Sequence, residues 1–275
     1  MLQFFTFRQE FLPVLLLIAA AMLLGFTACS LRLKLVNYHI VTTKAVPPMR
    51  IAVLSDLHSS TYGKKQEKLL ELVEKVSPDL MVFPGDTVDD TLPEEPAFCL
   101  LEQLTDKYPC LLVFGNHEYR THALPTLKRR IEAVGVTVLE NRSTKVGEVV
   151  VHGLNDPEGA EDLFGLRLQQ LGENAKAENF NILLTHRPER FEEYIPYGFD
   201  LVLCGHTHGG QWRLPGVVEG FFATGQGFFP PYAGGCYQKD GCSMIVSRGL
   251  SKKHILIPRI FNRPELVVVH IASKP

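Results

Sequence analysis

The stretch Arg50-Ile51-Ala52-Val53-Leu54-Ser55-Asp56-Leu57-His58 runs from an apolar, β-branched segment straight into two metal-ligand side chains. Such a run reads as a buried strand. Asp56 and His58 then stand two apart at its tip, point the same way, and could chelate one ion. Four more segments repeat the arrangement. Residues 80–83 precede Gly85-Asp86, residues 111–114 precede Gly115-Asn116-His117-Glu118, residues 182–184 precede Thr185-His186, and residues 201–203 precede Gly205-His206-Thr207-His208. A strand tip is rigid and the loop after it can aim a side chain, so convergent strand ends are where a sheet protein builds a site. Each motif alone is weak, because a lone histidine is more often structural. All five in this order are hard to explain by accident.

Aspartate, histidine and asparagine without cysteine make an oxygen and nitrogen ligand set. That set suits paired divalent metals better than a thiolate-bound structural zinc. A carboxylate can bridge, so Asp86 could serve two cations. Gly85 lets the backbone turn sharply ahead of it. His206 and His208 repeat the two-apart spacing among Gly205, Gly209 and Gly210.

Between the strand-like runs lie helical patterns. Residues 64–76 place Leu69, Leu72, Val73 and Val76 on one face with lysines and glutamates opposite. Weaker versions span 97–104 and 124–134. The first half therefore reads β-α-β-α-β-α, the pattern of a helix-covered parallel sheet. Later the chain shifts to strands joined by short turns. Residues 144–146 and 149–152 flank Gly147-Glu148 as a hairpin, and 242–247 and 266–271 read as strands, so a second, mixed sheet is expected.

The chain has 275 residues, a formal charge of -2 and 45% hydrophobic residues, enough for one sizeable α/β domain. Its near-neutral charge argues against nucleic acid as a partner. Six cysteines are too few and scattered for a disulfide scaffold. Cys99, Cys110 and Cys204 read as small core residues, and Cys236 and Cys242 could pair across a hairpin.

Residues 11–29 carry no charge and are long enough to span a bilayer, between Arg8 and Glu10 before and Arg32 and Lys34 after. The expected organisation is a tail (1–10), a transmembrane helix or signal anchor (11–30), a juxtamembrane linker (31–48) closed by Pro47-Pro48, and a catalytic domain (49–275). Gly25-Phe26-Thr27-Ala28-Cys29 loosely resembles a lipoprotein cleavage site with Cys29 lipidated, but Phe26 departs from it and a retained single-pass helix in the cell membrane is favoured. The excess of positive residues after the helix favours a cytoplasmic catalytic domain, although so short a tail leaves the side open.

From Arg50 to His270 the constellation resembles the calcineurin-like metallophosphoesterase superfamily. That pattern is Asp-x-His, Gly-Asp-x-x-Asp, Gly-Asn-His-Glu/Asp, a lone His, and Gly-His-x-His. Here it reads Asp56/His58, Gly85 to Asp89, Gly115 to Glu118, His186, and Gly205 to His208. The resemblance implies a four-layer α/β/β/α sandwich of two mixed sheets and two divalent metal ions, with Mn, Fe and Zn all compatible. It implies one metal on Asp56, His58, Asp86 and His208, the other on Asp86, Asn116, His186 and His206, and a metal-bridging hydroxide attacking phosphorus in line. It implies too that His117 contacts the phosphate and assists the leaving group. Asp89 and Glu118 are expected to orient ligating histidines rather than bind metal.

Gly209 to Pro215 and Ser247-Arg248-Gly249-Leu250 resemble a bacterial, membrane-anchored phosphohydrolase branch of the superfamily. Some of its relatives cleave the pyrophosphate of a nucleotide-sugar lipid. The protein phosphatases are a poorer match, since Asp90 stands where they carry arginine. Arg187, Arg213 and Arg248 could hold a substrate phosphate or pair with surface carboxylates. The stretch 220–237, rich in phenylalanine, proline and glycine, could be an apolar lip for a lipid-linked or membrane-proximal substrate, or a packed loop covering the sheet. The role of Asn155-Asp156 stays open. The expectation is a membrane-anchored phosphodiester or pyrophosphate hydrolase. A phosphomonoesterase, a nuclease and a non-catalytic scaffold of the same fold are the weaker rivals.

Overall fold

A computed structural model describes residues 13–18, 22, 25, 27–121, 123–252 and 258–274. Its centre is two six-stranded sheets packed face to face. The first runs β1 (Lys34–Thr42), β14 (Glu265–Ser273), β2 (Met49–Val53), β3 (Leu80–Pro84), β4 (Cys110–Val113), β5 (Thr137–Val138). The second runs β12 (Gly235–Lys239), β13 (Cys242–Val246), β9 (Leu201–Cys204), β8 (Phe180–Leu184), β7 (Val149–Gly153), β6 (Ser143–Val146). β2 to β5 are mutually parallel, as are β13, β9, β8 and β7. β14 runs antiparallel to β2, and β12 and β6 close the second sheet antiparallel.

The two-residue period of the strands divides their side chains between layers. Ile51, Val53, Leu80, Val82, Leu111 and Val113 face Ile182, Leu184, Leu201 and Leu203 in the core between the sheets. Ala52, Met81, Phe83, Leu112 and Phe114 face outward onto helices α1 (Glu67–Val76), α2 (Glu95–Thr105) and α4 (Leu124–Ala133). On the far side, Leu183, Val202 and Met244 meet α5 (Glu161–Glu173) and α6 (Phe191–Tyr194). Helix, sheet, sheet, helix is the order of layers. A short helix α3 (Asn116–Arg120) follows β4 directly.

Three expectations change. Helix α1 starts at Glu67, not at residue 64, because Lys65 and Gln66 take left-handed φ of 52° and 65°. Gln66 is buried there, accepting from the Tyr62 N–H and donating to the Ser60 and Pro96 carbonyls. Cys236 and Cys242 are free thiols: Cys236 lies opposite Ile245 and Cys242 opposite Lys239. The supposed linker 31–48 contains β1, which pairs in parallel with the whole length of β14. The domain therefore reaches upstream of residue 49. Lys44 reinforces this, its ammonium 2.7 Å from Asp200 and donating to the Asn179 carbonyl.

Residues 13–18 are helical, and Val14 to Ile18 are exposed. No helix among the described residues is long and apolar enough to cross a membrane, and much of 11–30 lies outside them.

Because β1 covers the outer edge of β14, a chain starting at residue 49 leaves that edge open, with β14 paired to β2 alone. It should unfold at lower temperature and aggregate more than a chain starting at residue 31, read by thermal unfolding with light scattering. Equal behaviour of the two would show that β1 contributes little.

Candidate metal centre

The five motifs converge where the carboxyl ends of β2, β3 and β4 meet those of β8 and β9. Two groups of side chains have ligand atoms within 4.8 Å of one another: Asp56, His58 and His208, and Asp86, His186 and His206. Asp86 lies between them, its Oδ2 3.2 Å from His186 Nε2 and 3.5 Å from His58 Nε2. His206 Nδ1 is 3.1 Å from His186 Nε2. On the other side His208 Nε2 is 3.7 Å from Asp56 Oδ1.

The backbone is bent hard to achieve this. Asp56, His58, Asp86, His206 and His208 all have φ between 44° and 72°. Non-glycine residues there cost on the order of 1–3 kcal/mol each and persist only where the surroundings impose them. Gly85, at φ 95°, lets β3 and β4 loops touch: a Cβ there would lie 2.7 Å from the Gly115 Cα. A methyl group at Gly205 would overlap the side chains of Ser55 and Asp56.

Outer contacts fix which atoms face inward. Asp89 Oδ2 is 3.0 Å from His58 Nδ1, and the Pro84 carbonyl is 2.7 Å from His186 Nδ1, which leaves both Nε2 atoms toward Asp86. This is the usual arrangement of a carboxylate or carbonyl behind a ligating imidazole. It also accounts for the proximity of His58, Asp89 and His117 as an outer contact rather than a third cation site. Asp56 accepts from the Ser55 hydroxyl and from the His206 N–H at 3.0 Å. His117 Nδ1 is 2.7 Å from Asp90 Oδ1, with Nε2 on the cluster side, 4.0 Å from Asp86 Oδ2.

Glu118 is placed differently from expectation. Instead of orienting a histidine, it accepts from four backbone N–H groups: Asp86 (2.9 Å), Thr87 (2.6 Å), Val88 (2.9 Å) and Gly115 (2.9 Å). It thus clamps the β3 and β4 loops to each other. Burial, then the charge of Asp86, push its carboxyl up to about 7 against the N–H bonds from Val88 and Gly115.

Two buried polar atoms of the cluster, His58 Nε2 and Asn116 Oδ1, have no hydrogen-bond partner. Such atoms are costly unless something else binds them, so the donor set fits cations. Protons distribute accordingly. Burial works against His186 carrying charge, but Asp86 and then Asp56 outweigh it and raise its ring to about 10. Asp86 is correspondingly held well below the usual carboxylate range, against its burial, by His186 and then His58. Burial keeps His206 and His208 neutral, reinforced by His186 for the first and His58 for the second.

The three arginines all face carboxylates. Arg187 grips Asp156 through Nε (2.5 Å) and Nη2 (3.0 Å). Arg213 pairs with Glu219, and Arg248 Nε lies 2.8 Å from Glu265. Of the three, Arg187 also reaches the histidines, with Nη1 3.0 Å from His206 Nε2. Asn155 is structural, accepting from Phe114 N–H and donating to the Tyr119 hydroxyl.

Residues not singled out beforehand also shape the site. Arg259 is buried with Nη2 3.4 Å from His208 Nδ1, and Asn262 donates to the His208 carbonyl at 2.7 Å. Neither belongs to a ligand-like motif. Asp90 was visible as a departure from the phosphatase pattern, and that was the one signal available.

Two docked sheets with clustered aspartates and histidines at their carboxyl ends define a metal-dependent phosphoester hydrolase. The chain belongs to the calcineurin-like phosphoesterase family, which matches residues 49–210. It is 28% identical over 253 residues to the metallophosphoesterase YkuE of Bacillus subtilis, covering 86% of this chain and 84% of that one. It is 30% identical to the phosphodiesterase YaeI of Escherichia coli, covering 63% and 66%. A bovine transmembrane protein with a metallophosphoesterase domain is 28% identical over 86% of this chain and 56% of its own length. Among solved structures, the NAD nucleotidase of Haemophilus influenzae aligns with TM-score 0.46 and 18% identity, over 76% of this chain and 46% of that one.

Glu118→Gln tests the clamp. An amide turns an N–H₂ toward N–H donors and strands at least one of them, at about 1–3 kcal/mol for each buried orphan. The variant should lose thermal stability and phosphoesterase activity together; an unchanged melting temperature would show the clamp is dispensable.

Proposed function

We propose that the chain is a membrane-tethered hydrolase of phosphodiester or pyrophosphate bonds that works with two divalent ions. The observation that carries this reading is the position of Asp86 Oδ2, within 3.5 Å of histidines from both ligand groups. Asp56, His58, Asp86 and His208 would hold one ion; Asp86, Asn116, His186 and His206 would hold the other. When bound, the ions would supply an activated water and charge stabilisation at the phosphoryl oxygens. Asp89 and the Pro84 carbonyl keep His58 and His186 turned inward. His117 is held by Asp90 through Nδ1, so its Nε2 is the atom free to give a proton to a departing alkoxide. Arg187, steadied by Asp156, borders the cluster as a cation for a phosphoryl oxygen.

Support for a diester substrate comes from the resemblance to the Escherichia coli phosphodiesterase. Support for the tether comes from the uncharged run 11–29 and the exposure of Val14 to Ile18. The bovine transmembrane relative points the same way.

The full chain should hydrolyse bis-p-nitrophenyl phosphate with Mn²⁺ and stop when a chelator strips the metal. Asp86→Asn should lose both bound metal and activity. His117→Ala should keep its metal, by elemental analysis, and lose roughly 10²–10⁴-fold in rate, the usual contribution of a positioned proton donor. Full activity without metal sinks the mechanism; full activity of His117→Ala removes its role.

Proton linkage gives a second check. With its folded pKa raised to about 10, His186 is protonated at neutral pH in metal-free protein, and an ion must displace that proton. Loading should therefore release close to one proton per chain from this ring. Apparent affinity should fall as pH is lowered beneath that value. Calorimetry in two buffers of different ionisation heat measures it, and no proton release would contradict the assignment.

A further inference from the structure

The loop after the metal-binding histidines is built unlike the rest of the surface. Residues 209–237 contain two charged side chains, Arg213 and Glu219, and these pair with each other. Phe221 sits at the centre of an aromatic cluster, stacked on Trp212 at 5.5 Å and edge-on to Phe228 and Phe229 at 5.3 and 5.6 Å. The two-stranded ribbon β10 (Phe222–Ala223) and β11 (Gly227–Phe228) shapes it. Yet the cluster is not covered: Phe228 and Phe229 are 66% and 65% exposed, Val217 75%, and Trp212 38%. The alternative of a packed loop covering the sheet does not describe these side chains. A contiguous apolar patch on a neutral loop marks an interaction surface.

Its neighbours say what kind. Ile260 pairs with Trp212 and, through the next residue, Phe261 N–H donates to the Ala28 carbonyl at 2.6 Å. The apolar N-terminal segment therefore leaves the domain beside the patch. At the same exit lies a cavity of about 670 Å³, lined by Cys29, Arg32, Tyr62, Lys68 and Lys252 and, among the described residues, by no acidic side chain. Lys252 lies over the Tyr62 ring at 3.8 Å and donates to the Thr61 carbonyl. Exposed aromatic side chains and cations at the exit of an apolar segment are complementary to a bilayer surface, where rings enter the headgroup region and ammonium groups meet lipid phosphates.

We propose that the aromatic loop 212–229 and the basic cavity at Cys29 form one surface that docks on an anionic phospholipid bilayer. It presents the metal centre to phosphoesters carried in that membrane. The proposal rests on the reading of residues 11–30 as a tether, and adds a second, peripheral contact that fixes the domain's orientation. The loop is coupled to the site: Phe221 N–H donates to the Gly210 carbonyl at 2.9 Å, and Gly210 follows His208 within the same turn. Gly210 and Gly220 pack so closely that a Cβ on either would crowd the other's Cα. The partner is a lipid surface rather than a second copy of the chain because the described lining of the cavity offers Arg32, Lys68 and Lys252 without acids, beside the exit of an uncharged, membrane-length run.

Trp212 is the single tryptophan of the chain, so its fluorescence reads this surface alone. The full chain is reconstituted into vesicles of phosphatidylcholine and phosphatidylglycerol, with or without bromine on the phosphatidylcholine acyl chains, and floated on a density gradient. An indole at headgroup level lies within reach of those bromines, so Trp212 emission should fall by about twofold or more in brominated vesicles. The double variant Phe228→Ser, Phe229→Ser should still float but lose that quenching. Protein that floats while Trp212 stays unquenched and open to aqueous iodide overturns the docking surface and leaves the tether standing. A shielded but unquenched Trp212 assigns the patch to contact between copies and overturns it too. So does a double variant quenched as strongly as the parent. Protein that does not float overturns tether and surface together.

Discussion

Asp86 comes from the first sheet and His186 from the second, and their approach to 3.2 Å depends on how the sheets dock. That docking is set by the apolar layer between them, where Val82 and Val113 meet Leu184 and Leu203. Close-packed side chains transmit position almost without compliance. A shift between the sheets would pull each ligand group apart, since both groups draw residues from both sheets, before it disturbed either sheet. The left-handed backbone at Asp56, Asp86 and His206 has the same origin. These loops do not choose that conformation; they are held in it from both sides, by Glu118 on the β3 and β4 loops and by Asp56 on the β9 loop.

Electrostatics follows from the same enclosure. Asp56, Asp86 and Glu118 are all buried within one small volume, which without compensation would be strongly unfavourable. The compensation is divided. Backbone N–H groups serve Glu118, the Ser55 hydroxyl and the His206 N–H serve Asp56, and the raised His186 ring serves Asp86. A proton on His186 thus occupies the balance that a cation would take. His58 Nε2 and Asn116 Oδ1 are left without a hydrogen bond, and a proton on His186 does not supply one.

The strands and the clustering of the motifs were legible because both are local: a strand needs a short apolar run, and a motif needs its neighbours in sequence. What was not legible depends on distant partners. β1 reads as a connector because its pairing strand, β14, comes at the opposite end of the domain and its own residues are only partly buried. Glu118 looks like a companion to histidines, since nothing in a sequence marks a carboxylate that binds backbone N–H groups. The choice between phosphate and carboxylate for Arg187 turns on Asp156, which follows the neighbouring strand β7 and lies 31 residues earlier in the chain. Arg259 lies in no motif at all and reaches His208 through the return of the chain toward β14.

The exposed side of the cluster limits how a substrate can enter. Asp56, Asp86 and His186 are sealed, whereas the His117 and His208 side chains remain 17% and 20% exposed, so the reacting phosphoryl group must arrive past those two rings. They are not equivalent edges. His117 is backed by Asp90, a carboxylate that disfavours an anion drawing near on that flank. His208 is backed by Arg259 and by Asn262, and its loop continues through Gly210 into the aromatic cluster around Phe221. The favourable electrostatic approach and the apolar loop therefore lie along one edge. On the proposed membrane-facing reading, an anionic group attached to an apolar body would meet both halves of that edge at once, and a small hydrophilic phosphoester would meet one.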